Sequence, residues 1–185
     1  MNLYFRLMRL IITCFFLRRQ KIKITDKLML TSRVWLNDID FNGHMNNGRY
    51  LTIMDLGRVQ LVARLGLVRC ILKQHIHPVA AGASIVYFKS LKPFERFTLT
   101  TQVIYWDADW FYVKQDFYSS QNALSASALV RVAFVKASKR IDSFAFLAAQ
   151  SNQRLNMPQP DMPAYLHAFL AGEKVWLGHL KNQTP

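Results

Sequence analysis

Asp38-Ile39-Asp40-Phe41-Asn42-Gly43-His44-Met45-Asn46-Asn47-Gly48-Arg49-Tyr50 is the stretch around which this chain is organised. It gathers two carboxylates, an imidazole, three amide side chains and two glycines. Before it, the apolar Val34, Trp35 and Leu36 read as the end of a short strand, Thr31–Leu36. After it, Asn46 or Asn47 suits a helix cap. Tyr50, Ile53, Met54, Gly57, Leu61, Val62 and Leu65 then recur at helical spacing as far as Gly66. That pattern predicts one helix to about Leu65 with a broad buried face. Gly48 and Gly57 weaken it locally but permit close approach of a sheet or ligand. The acid–base groups thus sit in a loop feeding a helix N-terminus, whose unpaired N–H groups attract negative charge. Such a setting suits attack on a carbonyl and stabilisation of the oxyanion that forms.

Downstream of Pro78 the character changes. Val79–Phe88, Phe97–Trp106, Trp110–Tyr118 and Ala123–Ala137 are rich in β-branched and aromatic residues. Lys92-Pro93-Phe94-Glu95, Asp107-Ala108-Asp109 and Ser119-Ser120-Gln121-Asn122 part them as turns, which predicts antiparallel hairpins. One long helix followed by a strand meander implies an α+β domain in which a sheet covers the helix. The aromatics Tyr105, Trp106, Trp110, Phe111 and Tyr112 read as sheet core. His75 and His77 read as loop residues near a pocket, because no further metal ligands stand at suitable spacing. Past the proline-rich Met157–Pro163, a short helix from about Ala164 to Ala171, ended by Gly172, is expected. Three regions follow: an extension over 1–30, the domain over 31–140, and a second extension over 141–185.

A hydrophobic content of 51% suffices for a packed core, and a formal charge of +13 with a pI near 10.1 marks a surface that attracts phosphates. Charge alone does not choose among nucleic acid, anionic lipid and coenzyme A. Cys14 and Cys70 are too few for a disulfide framework, which favours a reducing compartment. Leu3–Leu17 is apolar but interrupted by Arg6 and Arg9, and Arg18, Arg19, Lys21 and Lys23 follow it. As a helix it spans roughly 22 Å, short of the roughly 30 Å hydrocarbon core, and no cleavage-site pattern follows. Two readings stay open: a helix in the membrane interface through residues 1–23, or a helix packed on the domain or a second subunit.

With the motif between strand and helix, the chain resembles the hotdog-fold thioesterases of the 4-hydroxybenzoyl-CoA thioesterase-like group. The motif is closest to the Asp-Leu-Asp-x-Asn-x-His-x-Asn-Asn-x-x-Tyr version of acyl-ACP thioesterases and of the thioesterase-superfamily-member-6 type. The resemblance runs from about residue 31 to 137. It implies a hotdog fold, a long central helix wrapped by a five-stranded antiparallel sheet, in a homodimer or tetramer with sites at a subunit boundary. It also implies hydrolysis of an acyl thioester, acyl-CoA or acyl-ACP; no cofactor or metal is expected, and the cysteine usage and the basic N-terminal segment point to a cytoplasmic protein, peripheral to the membrane in one of the two readings of residues 1–23. Asp40 matches the catalytic carboxylate, and Asp40, Asn42 and His44 match a catalytic trio at alternate positions. A further catalytic Glu of the acyl-ACP enzymes has no counterpart placed here: Asp55 and Glu95 stand elsewhere.

Each residue also has a plainer reading. Asp40 serves as general base or nucleophile, or is a turn residue bonded to its own backbone. Asn42 holds the nucleophile or the carbonyl, or simply shapes the turn. His44 orients water or Asp40, or is solvated. Amides between His44 and Asn47, those of Met45, Asn46 and Asn47 among them, receive the carbonyl oxygen. Tyr50 packs its ring in the core with its hydroxyl toward the loop. Asp38 is expected to be structural or solvated, and Asp55 with Arg58 a helix-surface ion pair. Lys89, Lys92 and Arg96 surround a turn and either hold coenzyme A phosphates or are solvated. A non-hydrolytic acyl-binding protein at a membrane surface is the second functional reading. Nucleic-acid binding, resting on charge without a recognisable motif, is not expected.

Overall fold

The computed structural model describes residues 3–16, 22–142, 145–146 and 159–181. Arg18, Arg19, Lys21, Met157 and Pro158 therefore lie outside the described residues. Helix α1 (Leu3–Phe16) is followed by β1 (Leu28–Arg33), a 3-10 turn over Leu36–Asp38, α2 (Asn47–Arg64) and α3 (Val68–Gln74). Then come β2 (Ile76–Tyr87), β3 (Arg96–Trp106), β4 (Phe111–Ser119), β5 (Leu124–Lys136), β6 (Lys139–Arg140) and α4 (Ala164–Lys181). The strands form one antiparallel sheet in the order β1-β3-β4-β5-β2, with β6 hairpinned onto β5. This is the α+β hotdog arrangement that the sequence implied, with a two-residue sixth strand added to the five. β2 occupies one edge of the sheet.

Helix α2 lies against β1 and β3 and buries Tyr50, Ile53, Met54, Gly57 and Leu61. Its closest approach is at Gly57, where a methyl group would run into Thr101, Gln115 and Leu99. Gln115, wholly buried in β4, fastens this seam. Its Nε2 donates to the Met54 carbonyl at 3.0 Å and to Thr101 Oγ1 at 2.9 Å, and its Oε1 accepts from Arg58 at 2.7 Å. A buried amide with these partners avoids the cost of an unpaired polar group and fixes the helix at one register on the sheet. Of the aromatics expected in the sheet core, Trp106, Phe111 and Tyr112 are buried, whereas Tyr105 and Trp110 are only partly so, with Arg131 and Arg140 lying over the Trp110 ring.

Three expectations need correction, and one helix was not expected. Val34–Leu36 does not continue the strand: β1 ends at Arg33, and Trp35–Asp38 turns because Asp38 caps the Trp35 amide at 2.9 Å. The segment after Gly66 (φ +75) is a helix, α3, with Leu67 and Ile71 one turn apart and buried. His75 is its left-handed end (φ 53), and His77 and Pro78 already belong to β2. Lastly, α4 runs through Gly172 to Lys181. The Arg131–Glu173 ion pair at 2.8 Å ties that longer helix to β5.

Helix α1 packs on the domain. Leu10 and Cys14 form a buried cluster with Leu56 of α2, and Arg6 is only 5% exposed. Tyr4, Phe5, Met8, Ile11 and Ile12 face outward on its other side. Among the described residues, no helix is long and apolar enough to cross a membrane.

Candidate active site

The motif folds as a tight loop closed on itself. Asp40 donates its amide to the His44 carbonyl at 3.0 Å, and Gly43 donates to the Asp40 carbonyl at 3.1 Å. Gly43 adopts φ +73, a conformation glycine takes without strain. Asn46 donates to the Asp38 carbonyl at 2.8 Å, and Met45 donates to the Leu91 carbonyl at 2.9 Å. The Asn46 side chain caps α2 by accepting from the Gly48 amide at 2.9 Å. The cap expected at Asn46 or Asn47 is therefore Asn46.

The side chain of Asp40 is 17% exposed. Its Oδ1 accepts the Asn42 amide at 2.9 Å and lies 3.6 Å from His44 Nδ1. The turn and catalytic readings of Asp40 are thus not alternatives: one oxygen is held by the turn, and no hydrogen bond occupies Oδ2 among the described residues. The side chain of His44 is one-third exposed, and its Nδ1 lies 3.3 Å from the Met45 carbonyl, nearer than to Asp40. The side chain of Asn42 is exposed.

Of the amides expected to receive an oxyanion, those of Met45 and Asn46 are committed inside the loop. The amides of His44 and of Asn47, the first residue of α2, meet no acceptor among the described residues. Tyr50 is 2% exposed, its ring against Tyr87 and Phe117. Burial pushes its phenol up to about 12, opposed by the Leu91 backbone. Its position is that of a core residue beneath the loop. The Tyr87 hydroxyl donates to the Asn47 carbonyl at 3.0 Å, bringing the end of β2 alongside the α2 N-terminus. Lys89, Lys92 and Arg96 are exposed, and the Met45–Leu91 bond brings the segment carrying the two lysines beside the loop. Glu95 braces that turn through the Lys92 amide and Ser120. Burial works to raise its carboxyl, but these bonds and the Lys89 charge hold it below the usual value.

The sequence did not single out Arg6, Arg49 and Asp38 as a set. Asp38 is fully buried, and both of its oxygens pair with Arg6 while Oδ1 also accepts from Arg49 at 2.9 and 3.0 Å. It does not share an extended face with Asp40. An Asp two residues before another, with arginines on the flanking predicted helices, was the available signal.

An apolar cavity of about 360 Å³ opens along the second half of α2, lined by Val62, Leu65, Ile71, Val103, Val113 and Phe134 among others. Asp55 and Arg58 also border it; they pair with each other, as expected. No cluster of metal-ligating residues occurs among the described residues.

A fold of this kind, with an acidic loop at the start of its sheet-covered helix, matches the Thioesterase-like superfamily, whose sequence model covers residues 34–170. The chain belongs to that superfamily. It is similar to Protein THEM6 of Danio rerio, 37% identical over 107 residues, covering 57% of this chain and 53% of that protein. The chain spans about half the length of the THEM6 proteins it matches. Among solved structures it is similar in fold to a probable thioesterase from Bartonella henselae (TM-score 0.59, 19% identity, 63% of this chain and 98% of that one). It is also similar to the hypothetical protein SAV2348 from Staphylococcus aureus in complex with CoA (TM-score 0.61, 17% identity, 80% and 96%).

Proposed function

We propose that this chain is an acyl thioesterase that hydrolyses acyl-CoA, or acyl-ACP, to free acid and thiol. The observation that supports this reading is Asp40, held by one oxygen and without a hydrogen bond at the other, in the loop that leads into the N-terminus of α2, where the Asn47 amide meets no acceptor among the described residues. In the reaction, Asp40 Oδ2 takes a proton from water as the water oxygen bonds to the thioester carbon. Alternatively, Oδ2 attacks that carbon itself and water then cleaves the anhydride. In either case the C–S bond breaks and the thiolate leaves. The carbonyl oxygen gains charge near the Asn47 and His44 amides and the positive end of α2. His44 steadies Asp40, and Asn42 fixes it through its amide. Exposed Lys89, Lys92 and Arg96 supply cations for the phosphates of the carrier.

The apolar cavity suits the acyl chain, but in the same subunit Val59 at its wall is roughly 18 Å along the helix from Asn47. A second copy resolves this. β2 is a long edge strand with no Asp, Glu, Lys or Arg and with most of its residues exposed, the kind of edge that pairs with another chain. It runs opposite to α2: Tyr87 meets Asn47, while Pro78 and Ala80 share the cavity with Val62 and Leu65. Two-fold pairing of β2 edges therefore brings the Asp40 loop of one subunit to the cavity end of its partner. A homodimer is the unit this reading requires.

The second reading, a non-hydrolytic acyl- or lipid-binding protein at a membrane surface, is favoured by one observation. Tyr4, Phe5, Met8, Ile11 and Ile12 form an outward apolar face on α1 in a strongly basic chain. The test is a thioester panel across acyl lengths and both carriers, comparing wild type with Asp40→Asn. Turnover by the wild type and a loss of about three orders of magnitude or more in the variant, with fold and dimer intact, is the expected result. Unchanged hydrolysis by the variant sinks the role of Asp40. Retained acyl ligand with no cleavage by the wild type favours the second reading.

A further inference from the structure

We propose that Arg6 is a positioning residue for the Asp40 loop, which makes α1 a working part of the active site. The proposal rests on the thioesterase reading above. Its ground is the set of bonds that converge on Asp38. The side chain, fully buried, receives both terminal nitrogens of Arg6, Nε and a terminal nitrogen of Arg49, and the Trp35 amide at 2.9 Å. The same guanidinium of Arg6 donates to the Arg33 carbonyl at 2.9 Å, where β1 ends. The main chain of Asp38 donates to the Trp35 carbonyl at 2.8 Å and accepts from the Asn46 amide at 2.8 Å. One residue thus joins α1, the end of β1, the first turn of α2 and the α2 cap. Asp40 lies in the loop pinched between Asp38 and Asn46, where Ile39 and Met45 pair as an isolated bridge.

The two arginines do different work. Arg49 comes from α2, the helix whose N-terminus the loop already feeds, and it is about one-quarter exposed. Arg6 arrives from a separate element seated on α2 through Leu10, Cys14 and Leu56. It is also the side chain that reaches both the Arg33 carbonyl and Asp38 Oδ2. Without Arg6, Asp38 keeps Arg49 and the Trp35 amide, so its buried charge still has a partner. What is lost is the fixed distance between the β1 end and the loop. A displacement of about 1 Å at a reacting carboxylate costs on the order of 100-fold in rate.

The experiment uses the full chain with Arg6→Met and Arg6→Lys, a thioester assay and amide hydrogen exchange. Arg6→Met is expected to lower kcat by about 10- to 100-fold while KM stays within about threefold, because binding energy and chemistry are separated here. Lysine keeps the charge but not the fork that spans two acceptors, so Arg6→Lys recovers only part of kcat. The Asn46 amide exchanges faster in Arg6→Met, whereas Val113 in the sheet core does not. Wild-type kcat in Arg6→Met overturns the proposal, as does equal acceleration at Asn46 and Val113, which signals general loosening. If Arg6→Met does not fold, Arg6→Lys decides: full kcat with unchanged Asn46 exchange overturns it. A wild type that cleaves no thioester removes the thioesterase reading, and the exchange pattern still settles whether Arg6 holds the loop.

Discussion

Replacing Gly57 by alanine sets two effects of opposite sign against each other, and the structure says which wins. In an isolated helix alanine is favoured over glycine by about 1 kcal/mol. Here the new methyl carbon would stand 2.9 Å from Gln115 Nε2 and 3.0 Å from Leu99 Cδ2, with Thr101 Oγ1 nearer still. All three neighbours are essentially without solvent exposure, so none can swing aside. Overpacking of this kind costs about 1–3 kcal/mol. Moving Gln115 also strains its bonds to the Met54 carbonyl and Thr101, and a buried polar group left unpaired costs about 1–3 kcal/mol more. The net expectation is a loss of about 3 kcal/mol. In a chain of this size that lowers Tm by roughly 6–12 °C. Thermal melts and urea midpoints of wild type and Gly57→Ala decide it. A variant as stable as wild type, or more so, would mean that helix propensity rules at this position and that α2 does not approach the sheet as closely as described.

Alkaline stability gives a second check. The Tyr50 phenol, raised to about 12 by burial, stays protonated in the folded state after the unfolded chain has lost its proton near 10. The unfolded state then binds fewer protons, so stability falls by roughly 1.4 kcal/mol for each pH unit between 10 and 12. Tyr50→Phe should flatten part of that fall in urea titrations run from pH 8 to 11.5; an unchanged slope refutes it. Tyr112, raised by burial and by its bond to Asp107, accounts for a remaining share. At the sheet edge, Ala83→Lys adds a cation to the middle of β2 in a chain already at +13. It should yield a monomer with little turnover by light scattering and thioester assay. A monomeric variant with full activity would show that one subunit carries the whole site.

The fold was legible because its signals were local. Helical spacing from Tyr50 to Leu65, a cap at Asn46 and hairpin turns between aromatic runs placed α2 and β3 to β5 within a few residues. What the sequence hid depends on partners distant in the chain. Gln115 reads as an ordinary polar residue within a strand, yet it binds α2 some 60 positions earlier. α3 was missed because a seven-residue helix between a glycine and a strand gives too little periodicity to register. α4 was cut short at Gly172 because a glycine reads as a stop, whereas the structure carries the helix past it and ties it to β5 through Glu173 and Arg131. At the site, it was the family resemblance that pointed to Asp40, Asn42 and His44, and the three stand in one tight loop. Which amides remain free could not, since Leu91 and Asp38 consume those of Met45 and Asn46.

Asp38 and Asp40 show how two identical side chains, two positions apart, come to have different fates. A turn at Trp35–Asp38 drives the first carboxylate inward, where it would be intolerable alone and is neutralised by two guanidinium groups. The bridge between Ile39 and Met45 follows, and the second carboxylate is left partly exposed in the loop, 17% of its side chain reaching solvent. The fully buried carboxylate secures the backbone on which the partly exposed one stands. Each is poorly suited to the other's position: Asp38 has no oxygen left for chemistry, and Asp40 has no arginine to compensate burial. The two acids are therefore not interchangeable in this fold: one is an internal tie between elements, the other a partly exposed group of the loop.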